Sequence, residues 1–98
     1  MNGYRNFETW LLALWIDNES EETQRYWKAR ARHCLETEKY STYEAKFLLA
    51  DELKNYIDDN NPITDLHIPL RGLYEALLNS AFCEIDFVEV AETLLEGC

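Results

Sequence analysis

The sequence predicts an all-α fold, a compact single-domain bundle of about five helices over residues 1–98. Three observations predict it. Only three glycines and two prolines punctuate 98 residues, and no segment alternates apolar and polar positions as a half-buried strand does. Apolar residues recur instead three and four positions apart, the spacing that lines one face of a helix. Two tetrads, Ser41-x-x-Glu44 and Asp86-x-x-Glu89, have the form of capping boxes, which satisfy backbone N–H groups that have no helical partner. A 47% hydrophobic content argues against disorder, and this length suffices for one core without disulfides or metal.

The first helix is expected from about Phe7 to Asp17, with Asn6 as N-cap and Asn18 near its end. Trp10 to Ile16 are seven consecutive apolar residues. A helix apolar nearly all round has no face for water, so other helices should enclose it, with Trp10 and Trp15 keyed between separate neighbours. Ser20 caps a second helix from Glu21 to about Glu38, whose inner positions are Tyr26, Trp27, Arg30/Ala31 and Cys34/Leu35. The Ser41 box opens a third helix to about Asp58, with Ala45, Leu48, Leu49, Leu53, Tyr56 and Ile57 inward.

Residues 59–68 open with Asp-Asn-Asn-Pro and read as the longest loop. Pro69 suits the first turn of a fourth helix to about Ser80, burying Leu70, Leu73, Tyr74, Leu77 and Leu78. A fifth runs from Asp86 to about Leu95, with Val88, Ala91, Leu94 and Leu95 inward and Gly97 as the stop. The aromatic residues exceed what so small a core needs, so some should lie at the surface, where rings favour interaction. Tyr4, Tyr40 and Phe87 are the expected exposed rings.

The formal charge of −10 is unevenly placed. Residues 1–40 hold six Lys/Arg against seven Asp/Glu, whereas residues 41–98 hold three against twelve. Such a field opposes direct nucleic-acid binding, which needs cations to displace counterions from phosphate, and it favours basic protein partners. Glu89, Glu92 and Glu96 share one face of the fifth helix, with Glu84 and Asp86 just before it. Asp51/Glu52 and Asp58/Asp59 add pairs on the third helix and after it. Carboxylates three and four apart on a helix are spaced much like neighbouring phosphates, so such an array is a candidate nucleic-acid mimic that binds protein. The alternative is a nucleic-acid contact through Arg25, Lys28 and Arg32 on one face of the second helix. Those cations are interleaved with acids, as in Glu21–Arg25 and Arg32–Glu36.

Chemistry is not indicated. Adjacent His33 and Cys34 point about 100° apart on a helix and cannot readily chelate one ion, while His67 stands alone in the loop. No strained nucleophile turn or glycine-rich anion loop accompanies Cys34, Cys83 or the histidines, so no enzyme, cofactor or metal site is expected. A small enzyme or ligand-binding protein would need a deep pocket holding His33 or His67 among carboxylates. Cys34, Cys83 and Cys98 form no even framework, which fits a reduced cytosolic protein. No signal peptide is apparent, and an apolar run of seven is far short of a membrane span, so a cytoplasmic protein is expected. Homo-oligomerisation is left open.

Asn6–Glu19, NFETWLLALWIDNE, resembles the opening motif of an uncharacterised family of small acidic proteins found mainly in phage, plasmid and prokaryotic genomes. Gly72–Phe82, GLYEALLNSAF, and Glu84–Glu96, EIDFVEVAETLLE, are similar to that family's closing segment. Residues 20–65 hold no matching motif. The family has no established activity, so no site residue carries over. The resemblance implies an accessory role in mobile-element biology, in which small acidic proteins often block a host factor.

Overall fold

Side chains begin and end the helices largely where the sequence places them. The structure, a computed structural model, describes residues 2–37 and 42–97. Asn6, in extended conformation, accepts the Thr9 N–H at 2.9 Å on its side chain and opens α1 (Phe7–Asn18). Ser20 Oγ accepts the Thr23 N–H at 3.0 Å and opens α2 (Glu21–Thr37). α3 (Thr42–Asp59) follows; the expected Ser41 cap and the exposure expected of Tyr40 lie outside the described residues. α4 (Arg71–Cys83) and α5 (Phe87–Glu96) complete the all-α fold, and no strand occurs among the described residues. Asp86 caps α5 by accepting the Glu89 N–H at 3.1 Å, and Gly97 closes it.

Four helices form the body. α3 packs on α5 and α2, and α1 packs on α2 and α5. Ile16, Trp27, Ala31, Cys34, Leu49, Leu53, Val90 and Ala91 lie at its centre. Tyr26 and Tyr56 close over Trp27, with ring centroids at 5.0 and 5.4 Å and both edge-on to the indole.

Several expectations about burial are overturned. α1 is not enclosed, because the body meets one face of it, Thr9, Leu12, Ala13 and Ile16, leaving Phe7, Leu11, Leu14 and Trp15 exposed. Tyr26 and Tyr56 are half in solvent as lids over Trp27. Tyr4 and Phe87, expected at the surface, pack against the core, and Val90 is a core residue beyond the expected set.

The largest difference is α4, which buries no residue at all. Leu70, Leu73, Tyr74 and Leu77 are exposed and Leu78 is half-buried, because no helix of the body covers them. The helix starts at Arg71, two residues later than expected, because Leu70 turns the chain with a left-handed φ of 63°. Arg71 Nη1 donates to the Thr64 carbonyl at 3.0 Å and so ties the preceding loop to the helix. The radius of gyration, 14.6 Å, exceeds the ~13 Å of a globule this size, as a helix standing clear of the body requires.

Candidate interaction site

Asp51, Lys54 and Asp58 recur at i, i+3 and i+7 on α3 and therefore share one side of it. Opposite them runs the link from α4 to α5. Between lies a cleft of about 380 Å³ bordered by Asp51, Lys54, Arg5, Glu84 and Asp86. A second cleft of about 360 Å³ adjoins it, lined by Ile57, Asp58, Asn79 and Phe82. Lys54, Cys83, Ile85 and Phe87 belong to both, so the two make one groove with an apolar floor and an acidic rim.

Hydrogen bonds from the start of α1 fix the far wall. Asn6 Nδ2 donates to the Glu84 carbonyl at 2.6 Å, and the Asp86 N–H donates to Thr9 Oγ1 at 2.9 Å. The Arg5 N–H donates to Glu89 Oε1 at 2.9 Å. The Asp86–Glu89 capping box is thus half tertiary. Asp86 caps Glu89, but the Glu89 carboxylate turns to Arg5 while the Asp86 N–H is taken by Thr9. The backbone of the Glu84–Asp86 link is consequently fixed against the start of α1.

The nine carboxylates singled out from the sequence fall into different circumstances. Glu52 faces α2, meeting Arg30 Nη2 at 2.7 Å and Arg30 Nε at 2.8 Å and accepting the Cys34 thiol at 3.1 Å. The hydrogen bond from Arg30 to Glu52 is the main cause holding the Arg30 guanidinium above its usual pKa. Glu92 lies 3.8 Å from Lys46 Nζ, a cation that also sits over the Tyr43 ring. Asp86 lies 3.8 Å from the exposed Arg5 guanidinium. Asp51, Asp58, Asp59, Glu84 and Glu96 make no ion pair among the described residues. Four of the nine, Asp51, Asp58, Glu84 and Asp86, border the groove. The α5 ladder of Glu89, Glu92 and Glu96 does not line it, and two of its three members already engage groups of this chain.

The apolar floor and the rim cations Arg5 and Lys54 escaped sequence reasoning. A signal was present in Lys54, set between Asp51 and Asp58 on their own face. On α2, Arg25 and Arg32 are exposed and Lys28 is half-buried. Arg30 belongs to the same basic cluster but is committed to Glu52. His33 and His67 are exposed, line none of these clefts, and lie on separate elements. Cys34 is buried, Cys83 is exposed, and Cys98 lies outside the described residues. Among the described residues, no group of three or more His, Cys, Asp or Glu side chains is placed to hold a metal ion. No helix among the described residues is long and apolar enough to cross a membrane.

No protein-family model, curated protein or solved structure matches the chain.

Proposed function

We propose that the protein is a small acidic interaction protein of mobile-element type. It binds a basic, nucleic-acid-binding host protein through its C-terminal half and thereby inhibits it. The observation that carries this reading is the groove between α3 and the α4–α5 link, where Asp51, Asp58, Glu84 and Asp86 surround Ile57, Phe82, Ile85 and Phe87. Lys and Arg suit such a surface, because their alkyl stems lie on apolar side chains while their charged ends reach carboxylates. The chain's net charge of −10 steers a basic partner towards the groove and makes association sensitive to salt.

The test is retention of host proteins on the immobilised chain, compared with the triple variant Asp51→Asn/Asp58→Asn/Glu84→Gln. These three carboxylates make no ion pair among the described residues, so the variant retains the fold. Expected is capture of basic nucleic-acid-binding proteins, released as salt rises and weakened roughly tenfold or more in the variant. Partners that are not basic, or retention indifferent to salt or to the triple substitution, would sink the reading. A gel shift abolished by Arg25→Ala/Lys28→Ala/Arg32→Ala would replace it with nucleic-acid contact through α2.

A further inference from the structure

Two apolar stripes have no cover among the described residues. On α4, Leu70, Leu73, Tyr74 and Leu77 recur at i, i+3, i+4 and i+7, and all four are exposed. On α1, Phe7, Leu11, Leu14 and Trp15 recur at i, i+4, i+7 and i+8, and all four are exposed too. Both spacings draw one line along a helix, and neither line includes a charged residue. A 13-residue helix with no fully buried residue is marginal in water, so α4 in particular needs a surface to lie on. Leu70 points the same way. Its left-handed backbone suits glycine or asparagine and is sterically costly for leucine, yet a leucine stands there with its side chain 64% exposed.

We infer that a second copy of the chain covers both stripes by reciprocal exchange, α4 of each copy lying on α1 of the other. Coverage of both stripes favours this pairing over α4 on α4. Exposures of 39–64% on Leu66, Ile68 and the four stripe residues leave about 550 Å² of apolar surface, at roughly 180 Å² for each full side chain. Pairing α4 with α4 alone would bury about 1,100 Å² of this apolar surface and leave the α1 stripe bare. The α1 stripe adds about 320 Å² per copy, which brings a reciprocal dimer to about 1,700 Å² of apolar surface, enough for a stable interface with two-fold symmetry.

Charge and connectivity agree. Two chains of charge −10 repel, and the uncharged stripes let them meet with their acidic sides turned away. The groove takes Asn79, Phe82 and Cys83 from α4, the side opposite the stripe, so both surfaces can be occupied together. Folding α4 back onto its own α1 would mean moving the Glu84–Asp86 link, which Asn6 and Thr9 hold.

Sedimentation of the full chain across a concentration series tests the exchange, with circular dichroism confirming that each variant stays helical. Expected is a concentration-dependent dimer that strengthens as salt rises, the opposite of binding at the acidic groove, so failure of one reading is distinguishable from failure of the other. Leu73→Ser/Leu77→Ser and, separately, Leu11→Ser/Leu14→Ser should each weaken the dimer at least tenfold. Mixing the two variants should restore a weaker heterodimer, because one α4–α1 pair is then intact. A single-chain mass at every concentration and salt overturns the proposal. So does a dimer indifferent to the α1 substitutions, or the absence of any heterodimer on mixing.

Discussion

Thr9 shows how few atoms place the far wall of the groove. Its side chain is fully buried, and its Oγ1 donates to Asn6 Oδ1 at 2.6 Å while accepting the Asp86 N–H at 2.9 Å. Asn6 in turn caps α1 and reaches the Glu84 carbonyl. Two polar residues thus join the starts of α1 and α5. Thr9→Val keeps the shape but leaves the Asp86 N–H without an acceptor in a part-buried place, at an expected cost of about 1–3 kcal/mol. Thr9→Ser keeps the hydroxyl and should lose only about 1 kcal/mol for the missing methyl. Urea unfolding of the two variants decides: if valine is no worse than serine, the hydroxyl is not what joins the helices. The Arg30–Glu52 pair is a different case. Its raised arginine pKa gives stability that is full below the usual arginine range and lost only as pH rises through the raised value, so neutral pH leaves the pair intact.

At the scale of the helix, two tryptophans separate exposure from core. Trp27 is 3% exposed beneath two tyrosines, whereas Trp15 is 42% exposed on the outer side of α1. Trp27→Ala should cost about 3–5 kcal/mol and Trp15→Ala about 1 kcal/mol, read from urea midpoints at concentrations where the chain is single. Equal losses would mean that α1 is enclosed after all. Helix boundaries were legible because caps are local: Asn6, Ser20, Asp86 and Gly97 act within a few residues of themselves. The start of α4 was not, since a left-handed leucine has no signature and Pro69 suggested an earlier start. Periodicity marked Leu70, Leu73, Tyr74 and Leu77 as residues that favour burial, but it carries no information on whether the cover comes from the same chain. The groove was half legible for a similar reason. Asp51 and Asp58 announce a shared face on α3, while their meeting with Glu84 and Asp86 depends on contacts across nearly 80 positions.

The whole molecule is governed by its charge. Residues 41–98 hold twelve acids and three Lys/Arg, and two of those cations, Lys46 and Arg71, are already engaged with Glu92 and the Thr64 carbonyl. Carboxylates without a partner repel one another in the folded state more than in an expanded chain, so self-repulsion opposes folding at low salt. The ion pairs oppose this only weakly. Those of Arg5 and Lys46 are 3.8 Å long and each has one member that is about half or more exposed; among the described residues only the Arg30–Glu52 pair is short. Raising salt from ~10 to ~150 mM shortens the screening length from about 30 to about 8 Å, which quenches repulsion between distant carboxylates more than attraction within a 2.7 Å pair. Stability should therefore rise with salt. A gain of about 1 kcal/mol corresponds to roughly 4–8 °C in Tm for a chain of this length. The measurement belongs on Leu73→Ser/Leu77→Ser, so that salt-driven association does not contribute. A Tm that falls with salt in that variant would mean that attraction within ion pairs outweighs repulsion among the acids, and the acidic half would then be a salt-bridged surface rather than one held ready for a cationic partner.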